Sequence, residues 1–304
     1  MKKHFNLTKH FPFLVPFFTN VFPKVLDFTA FPRAQANVNL LIEERNIYFK
    51  YSLDPASAEK WNLDVINTIN RSLVSTVSLS RIGPANDGGY LIPRLFCQDI
   101  NWITIGLGFN FLFENELANA NCKIFTFDHT IPWRPKKLNR NVTYVPKGWG
   151  SLNDSINNSD LITLDTMLEI SKFNLSSSNF WGLKFDIEGN EWSCLDQISK
   201  LSNKPAVIAC ELHGLTWGSN RYHKVDVLNK LNDLLANYSI CFANGNNYSP
   251  YFMTSKYGIY EIIELTLIRK DLSESLFNSN SEILKYNSLN NNKIVQMPLG
   301  LFES

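Results

Sequence analysis

The segment Trp102-Ile-Thr-Ile-Gly-Leu-Gly-Phe-Asn110, with the run Lys123-Ile-Phe-Thr-Phe-Asp128 behind it, constrains this chain most. Trp102 to Ile105 reads as a short buried strand. It stops at Gly106 and Gly108, where the chain turns sharply and a ligand can approach bare backbone. Phe113, Leu117 and Ala118 then recur at helical spacing, and Ile124 to Phe127 form a second apolar run closed by Asp128. The pattern predicts a βαβ unit. An acid about 20 residues past the glycines, at the carboxyl end of the second strand, is where a Rossmann-like site binds the two hydroxyls of an adenosine ribose. Gly106, Gly108 and Asp128 are therefore candidate cofactor-binding residues. A tight turn beside a solvated acid would give the same letters.

The dinucleotide fingerprint is incomplete. It requires Gly-x-Gly-x-x-Gly, and this chain has Gly106-Leu-Gly108-Phe-Asn-Phe111. A bulky Phe111 at the third glycine position argues against a pyrophosphate lying on the helix N-terminus. S-adenosylmethionine carries no phosphate and does not need that glycine.

Downstream the units alternate: a strand near Val142 to Val145, a helix over Leu164 to Ile170, a strand from Gly182 to Ile187 and a helix from Trp192 to Leu201. A strand from Ala206 to Leu212, a helix from Val225 to Ala236 and strands near Ser239 to Ala243 and Tyr260 to Arg269 follow. Alternation of this kind implies an α/β fold with a doubly wound, mostly parallel Rossmann-like sheet, whose functional residues sit at the carboxyl ends of strands. The stretch from Ala34 to Ser80 reads as a helical N-terminal extension, with Leu40, Leu41, Ile47, Trp61, Leu63, Val65, Ile66 and Ile69 at helical spacings. The organisation expected is an apolar arm and helical lead-in over 1–80, a catalytic domain over 81–270 and a polar tail over 271–304.

The 304 residues carry a formal net charge of +1 with no long run of one sign, so no electrostatic footprint for nucleic acid is present. Cys97, Cys122, Cys194, Cys210 and Cys241 are scattered and form no C-x-x-C pair. That pattern argues against a disulfide framework or zinc site and suggests reduced thiols in a cytoplasmic protein. Near the N-terminus, Phe11-Pro-Phe-Leu-Val-Pro-Phe-Phe18 is broken by Pro12 and Pro16 and is too short to span a bilayer. Two readings stay open for it: an arm packed on the domain or on a second copy in a homo-oligomer, and a peripheral membrane contact through Phe17, Phe18, Val21, Phe22 and Val25.

The strongest chemical signal is Leu183-Lys-Phe-Asp-Ile-Glu-Gly-Asn-Glu191, a buried strand ending in three acids around a glycine. Buried carboxylates without partners are costly, so such a cluster faces a ligand, a cation or helix N–H groups. Gly189 lets the chain turn so that Asp186 and Glu188 can reach one pocket. Glu191 belongs in the first turn of the next helix, where its charge suits the dipole. The following strand ends in Cys210-Glu-Leu-His-Gly214, placing Glu211 and His213 at the same sheet edge. Asp87-Gly88-Gly-Tyr90 offers a glycine pair for the methionine end of a cofactor, and Asn244-Gly-Asn-Asn-Tyr248 reads as a loop able to hydrogen-bond a polyhydroxylated substrate.

Together, Arg81-Ile-Gly-Pro-Ala-Asn-Asp-Gly-Gly-Tyr90, Ile105-Gly-Leu-Gly-Phe-Asn-Phe-Leu-Phe-Glu114, Phe127-Asp-His-Thr130, Leu183-Lys-Phe-Asp-Ile-Glu-Gly-Asn-Glu-Trp192 and Ile263-Glu-Leu-Thr266 resemble the FkbM-type family of S-adenosylmethionine-dependent methyltransferases. The resemblance covers about Arg81 to Lys270. It implies a seven-stranded class I methyltransferase sheet, S-adenosylmethionine as cofactor, and methyl transfer to a hydroxyl of a saccharide, glycoconjugate or similar natural product. The family pattern is departed from twice: Asn110 stands where an acid is expected, and His129-Thr-Ile-Pro132 replaces a Pro-Thr-Pro after the ribose acid. Asn110 can still accept a hydrogen bond.

Two devices can deprotonate an acceptor hydroxyl. His213 can act as general base, or Mg²⁺ held by Asp186 and Glu211, with His213 as a further ligand, can lower the hydroxyl pKa. The pair Asp186 and Glu211 needs something positive nearby: the metal, a protonated His213, or Lys184. An NAD-dependent oxidoreductase and a non-catalytic cofactor-binding scaffold are the competing readings. The first leaves the Asp-x-Glu-Gly-x-Glu cluster unexplained.

Overall fold

The computed structural model describes residues 55–74, 78–173, 180–215, 224–246, 249, 251–253, 257–276 and 300–301. The apolar arm, with Leu40, Leu41 and Ile47, lies outside the described residues, as do Tyr248 and most of the C-terminal tail. In chain order the elements are α1 (Pro55–Ser72), β1 (Leu79–Ile82), β2 (Tyr90–Pro93), a 3₁₀ turn (Arg94–Phe96), β3 (Asn101–Ile105), α2 (Leu112–Asn119), β4 (Lys123–Phe127), β5 (Val142–Val145) and β6 (Gly148–Trp149). Then come α3 (Leu152–Asn157), β7 (Leu161–Ile162), α4 (Leu164–Ser171), β8 (Trp181–Phe185), α5 (Glu191–Lys200), β9 (Val207–Leu212), α6 (Lys224–Asn237) and β10 (Tyr238–Gly245). The described chain closes with β11 (Tyr251–Met253), β12 (Tyr257–Tyr260), β13 (Ile263–Arg269), α7 (Lys270–Leu276) and β14 (Gly300–Leu301).

The main sheet has seven strands in the order β10-β13-β9-β8-β3-β4-β5. Strands β8, β3, β4 and β5 run parallel to one another and β9 joins them beside β8, while β13 is antiparallel to both neighbours, β9 and β10. The chain begins at the centre with β3, winds outward to β5, then returns past β3 to β8 and β9. That reversal between β3 and β8 is the topological switch point, and ligands of open α/β sheets bind at the carboxyl ends of strands there. The molecule is thus a mixed α/β protein built on a mostly parallel doubly wound sheet.

Central strands are buried along their whole length, as expected where helices cover both faces. One face packs Trp61, Val65, Ile66 and Ile69 of α1 with Leu195 and Ile198 of α5 and Leu231 and Leu234 of α6. The other face packs Tyr90 and Ile92 of β2 with Phe113 and Leu117 of α2. Gly182 stands opposite Trp102 in register, and a Cβ there would lie 2.5 Å from the indole, so the glycine makes room for the ring.

Several boundaries differ from expectation. The helical lead-in, expected to reach Ser80, ends at Ser72, and Leu79–Ile82 is a strand of a hairpin with β2. The strand read as Gly182 to Ile187 stops at Phe185, which releases Asp186 into the turn. The run from Tyr260 to Arg269 breaks after Tyr260, separating β12 from β13. The tail begins as helix α7, anchored by Ser273, whose Oγ lies 3.3 Å from Ser239 Oγ in a buried contact. Asn244, read as part of a substrate loop, is in β10 and turned inward. Its amide answers a buried carboxylate, a demand invisible in the loop-like composition.

Candidate functional site

The glycine turn after β3 is fastened from all sides. Gly106 has φ +80°, and a Cβ on it would sit 1.7 Å from the Asp186 carbonyl oxygen. The missing side chain therefore makes room for the end of β8. Lys184 Nζ, buried beneath, donates to the Gly106 carbonyl at 2.5 Å. Gly108 is different: at φ +59° its Cβ direction meets no atom within 4 Å, leaving open space above the backbone. Here an incoming group can approach.

Asp128, 5% exposed, closes the same turn from the end of β4. Its Oδ2 accepts from Leu107 N at 2.9 Å and Gly108 N at 3.1 Å, and its Oδ1 accepts from Thr130 N at 2.8 Å and Thr130 Oγ1 at 2.6 Å. The Tyr144 hydroxyl donates to the Asp128 carbonyl at 2.8 Å and contacts the Ile131 carbonyl, holding the segment that carries the His129 departure. Burial, and then the Asp128 charge, push the Tyr144 phenol up to about 12. Asn110 accepts from Leu112 N at 3.2 Å through Oδ1, an Asx-type turn that leads into α2. Its Nδ2 lies 3.7 Å from the Cβ position of Gly88, so the Asp87-Gly88 turn and the glycine turn meet. Arg81 shapes the former by donating to the carbonyls of Pro84 and Asn86, each at 2.7 Å.

Beside this frame stands a second, strongly acidic edge. His213, just past β9, has its backbone carbonyl fixed by Trp192 Nε1 at 2.6 Å. Its Nδ1 lies 3.0 Å from Glu191 Oε1. Its Nε2 lies 3.5 Å from Glu188 Oε2 and 3.8 Å from Glu211 Oε2. Glu191, at the start of α5 as expected, also accepts from Ile187 N at 3.2 Å and Gly189 N at 3.1 Å and is fully buried. One carboxylate thus caps the turn and orients the imidazole. The turn is strained to do so, since Glu188 sits at φ 57°, a left-handed conformation costly for a side-chain-bearing residue, with Gly189 at φ 105° behind it.

Asp186, Glu211 and His213 each offer one donor atom within 4.8 Å of the others. Asp186 keeps partial exposure as a residue, while its Oδ1 is buried without a hydrogen-bond partner. Burial, opposed by Lys184 and His213 and reinforced by Glu188 and Asp87, pushes the Asp186 carboxyl up to about 6. Burial raises Glu211 well above the ordinary carboxylate range, and Asp186, Glu264 and Asp87 add to it. For His213, burial alone would favour the neutral ring. The hydrogen-bonding carboxylates Glu188 and Glu191, with Asp186 behind, outweigh it and hold the imidazole well above its usual value. Chemically this edge can keep an oriented imidazolium among acids and yield a base when positive charge enters.

The structure brings Asp186, Glu211 and His213 together, sets Asp87 beside Glu211, and places Gly88, Gly106, Gly108, Asn110 and Asp128 around the adjoining turn. Lys184 supplies positive charge beside Asp186, the role expected if the sheet's twist allowed it. Four groups escaped sequence reasoning: Glu191 as the orienting partner of His213, Glu264, Tyr90, and Glu114. Glu114 is 1% exposed with an unpartnered Oε1, and its carboxyl is raised by burial. Each lies in a segment of the FkbM-like pattern. That was the available signal, since a single Glu in an apolar strand or helix carries none by itself. The expected free thiols are found: all five cysteines are unpaired.

No protein-family model matches the chain, and no curated protein does. Among solved structures, the chain is similar to one in a fibrillarin/Nop5p complex, with 10% identity, a TM-score of 0.32, and coverage of 56% of this chain and 73% of that one. It is also similar to a protein described as a hemolysin from Streptococcus thermophilus, with 11% identity, a TM-score of 0.35, and coverage of 58% of this chain and 61% of that one. Neither likeness lends this chain an activity.

Proposed function

We propose that this protein is an S-adenosylmethionine-dependent O-methyltransferase of the FkbM type, acting on a hydroxyl of a saccharide, glycoconjugate or similar natural product. The observation that carries the reading is the adjacency of the glycine turn, open above Gly108, to the Glu191–His213 pair at the ends of β8 and β9. The strand order supports it, because the switch point lies between these two features.

The cofactor's binding residues would be Gly106, Gly108, Asn110, Asp128 and the Asp87-Gly88 turn. They fit a nucleoside without a pyrophosphate, because Phe111, packed against the cluster of Tyr90, Phe113 and Leu117, stands just before α2 where a dinucleotide would need glycine. When bound, S-adenosylmethionine supplies an electrophilic methyl on a cationic sulfur. His213 Nε2, its ring fixed through Nδ1 by Glu191, would take the acceptor's proton once the positive charge of the bound cofactor has driven the imidazolium's own proton to solvent, and Asp186 and Glu211 would accept hydrogen bonds from the acceptor's neighbouring hydroxyls. A second form of the reading uses Mg²⁺ on Asp186, Glu211 and His213. The donor spacing favours it, and so does the Glu191 bond to Nδ1, since metal-bound imidazoles donate their other N–H to a carboxylate.

Residues 81–270 form the catalytic unit in this proposal, with 1–80 and 271–304 flanking it. The cell compartment we assign is the cytoplasm. Among the described residues no helix is long and apolar enough to cross a membrane. Residues 1–54 lie outside the described chain, and we propose them as the contact with a second copy or a membrane surface.

Calorimetric titration of the full chain with S-adenosylhomocysteine and, separately, NAD⁺ tests the reading. S-adenosylhomocysteine should bind, and Asp128→Ala should weaken it roughly 30- to 150-fold, the equivalent of about 2 to 3 kcal/mol. Both Asp128 oxygens already accept bonds within the protein, so that loss would come chiefly through the turn that Asp128 braces at Leu107 and Gly108. Binding of NAD⁺ with no response to S-adenosylhomocysteine would replace the methyltransferase reading with the oxidoreductase.

A further inference from the structure

Glu211 and Glu264 are direct register partners across the antiparallel pair β9 and β13, and they are 4% and 2% exposed. Like charges facing each other on adjacent strands destabilise a sheet, and buried carboxylates are costly unless something positive meets them. Asn246 Nδ2 donates to Glu211 Oε1 at 3.2 Å, and Asn244 Nδ2 donates to Glu264 Oε2 at 3.2 Å. These amides are neutral. They orient the two carboxylates, and the Arg81 guanidinium, tied by its own bonds to the carbonyls of Pro84 and Asn86, adds positive charge on the Glu264 side.

A third acid arrives from another element. Asp87, in the exposed turn between β1 and β2, has a carboxylate oxygen that lies with one from Glu211 and one from Glu264, all within 4.8 Å of one another. Tyr90, at the start of β2, points to the same place. It is 2% exposed, its hydroxyl has no hydrogen-bond partner, and that hydroxyl feels the charges of Asp186, Glu211, Glu264 and Asp87. Phe113, with ring centroids 5.5 Å apart, and Lys184 Nζ, 5.9 Å from the ring centre, hold the phenol ring in place. A buried phenol without a partner, set among acids and beside an open turn, marks a position built to receive a ligand.

We propose that Asp87, Glu211 and Glu264 hold a hard divalent cation, with the Tyr90 hydroxyl as a further oxygen donor. An all-oxygen set of this charge selects Mg²⁺, Ca²⁺ or Mn²⁺ over zinc. The position shares Glu211 with the neighbouring Asp186, Glu211 and His213 group and has Asp87 and Glu264 in place of Asp186 and His213. Asp87 is the one exposed ligand of the three, so the β1–β2 turn is the way in. The cation cancels the Glu211–Glu264 repulsion and joins the hairpin to the sheet. The proposal does not depend on the methyl-transfer reading, and its test uses no cofactor.

Mn²⁺ binding to the full chain, followed by electron paramagnetic resonance and calorimetry, decides it. Wild type should bind one Mn²⁺, displaced by Mg²⁺ or Ca²⁺. Glu264→Gln and Asp87→Asn should each weaken binding roughly tenfold or more, while His213→Gln should stay within about threefold of wild type. Asp87 is exposed, so Asp87→Asn keeps the test decisive if Glu264→Gln does not fold. Absence of Mn²⁺ binding at millimolar concentration, or wild-type affinity in Asp87→Asn, would overturn the proposal. So would loss of the ion in His213→Gln with retention in Glu264→Gln, which would assign it to the neighbouring group.

Discussion

The two strand-end turns that meet at the switch point are opposites in how their polar groups are met. Around the β3 turn, each carboxylate oxygen of Asp128 accepts two bonds from the protein, and Lys184 is committed to the Gly106 carbonyl. Around the ends of β8 and β9, acids outnumber cations. Asp186 Oδ1 and Glu191 Oε2 are buried without partners, and Glu188 holds a left-handed backbone. The first turn is complete as it stands and can be rigid before any ligand arrives. The second stores unfavourable charge and strain, which proteins keep where a ligand or a proton will relieve them.

The sharpest way to break the first half of the contrast is to put a methyl on each glycine of the β3 turn. Gly106→Ala would drive a Cβ into the Asp186 carbonyl and should cost about 4 kcal/mol or more, enough to unfold a marginal domain. Gly108→Ala meets no neighbour and should cost only the left-handed strain, about 1 to 2 kcal/mol, while narrowing the open space used by a cofactor. Urea melts of both variants check the order. Equal destabilisation would mean the two glycines do the same job.

A smaller effect sharpens the second half. With Asp186 pushed up to about 6, the folded carboxyl holds its proton more tightly than the unfolded chain, so folding takes up a proton. Stability should therefore rise as pH falls through about 6, with the gain complete near the ordinary aspartate value of about 4. His213 acts in the same direction. Its raised folded value gives a contribution that is full below the ordinary imidazole value and lost as pH rises through the folded one. Urea midpoints at pH 8 and pH 5 should show wild type gaining on acidification and Asp186→Asn gaining less. An identical slope in the variant would remove Asp186 from the stored charge.

The sheet was legible because its signals are periodic. The apolar runs at Trp102 to Ile105, Ile124 to Phe127 and Ala206 to Leu212 each became a strand of the main sheet, and strand-end placement brought Asp186, Glu211 and His213 together. The antiparallel position of β13 was not legible, because an apolar run does not state its direction. Nor was the pairing of Glu264 with Glu211, which the register of β13 with β9 creates, or the unpartnered hydroxyl of Tyr90. Glu191 was readable as a helix-start acid from its spacing alone. Its bond to His213 depends on how β9 lies against α5, a tertiary fact.

The β8 and β9 edge holds His213 as an imidazolium oriented by Glu191. Histidine-labelled protein in metal-free buffer, followed by NMR of the ring nitrogens across pH, tests it directly. His213 should titrate clearly above the ordinary imidazole value of about 6.5 in wild type and fall back toward it in Glu191→Gln. A His213 that titrates at or below the ordinary value in wild type, unmoved by Glu191→Gln, would mean that the ring is neutral at this edge and that Glu191 does not orient an imidazolium.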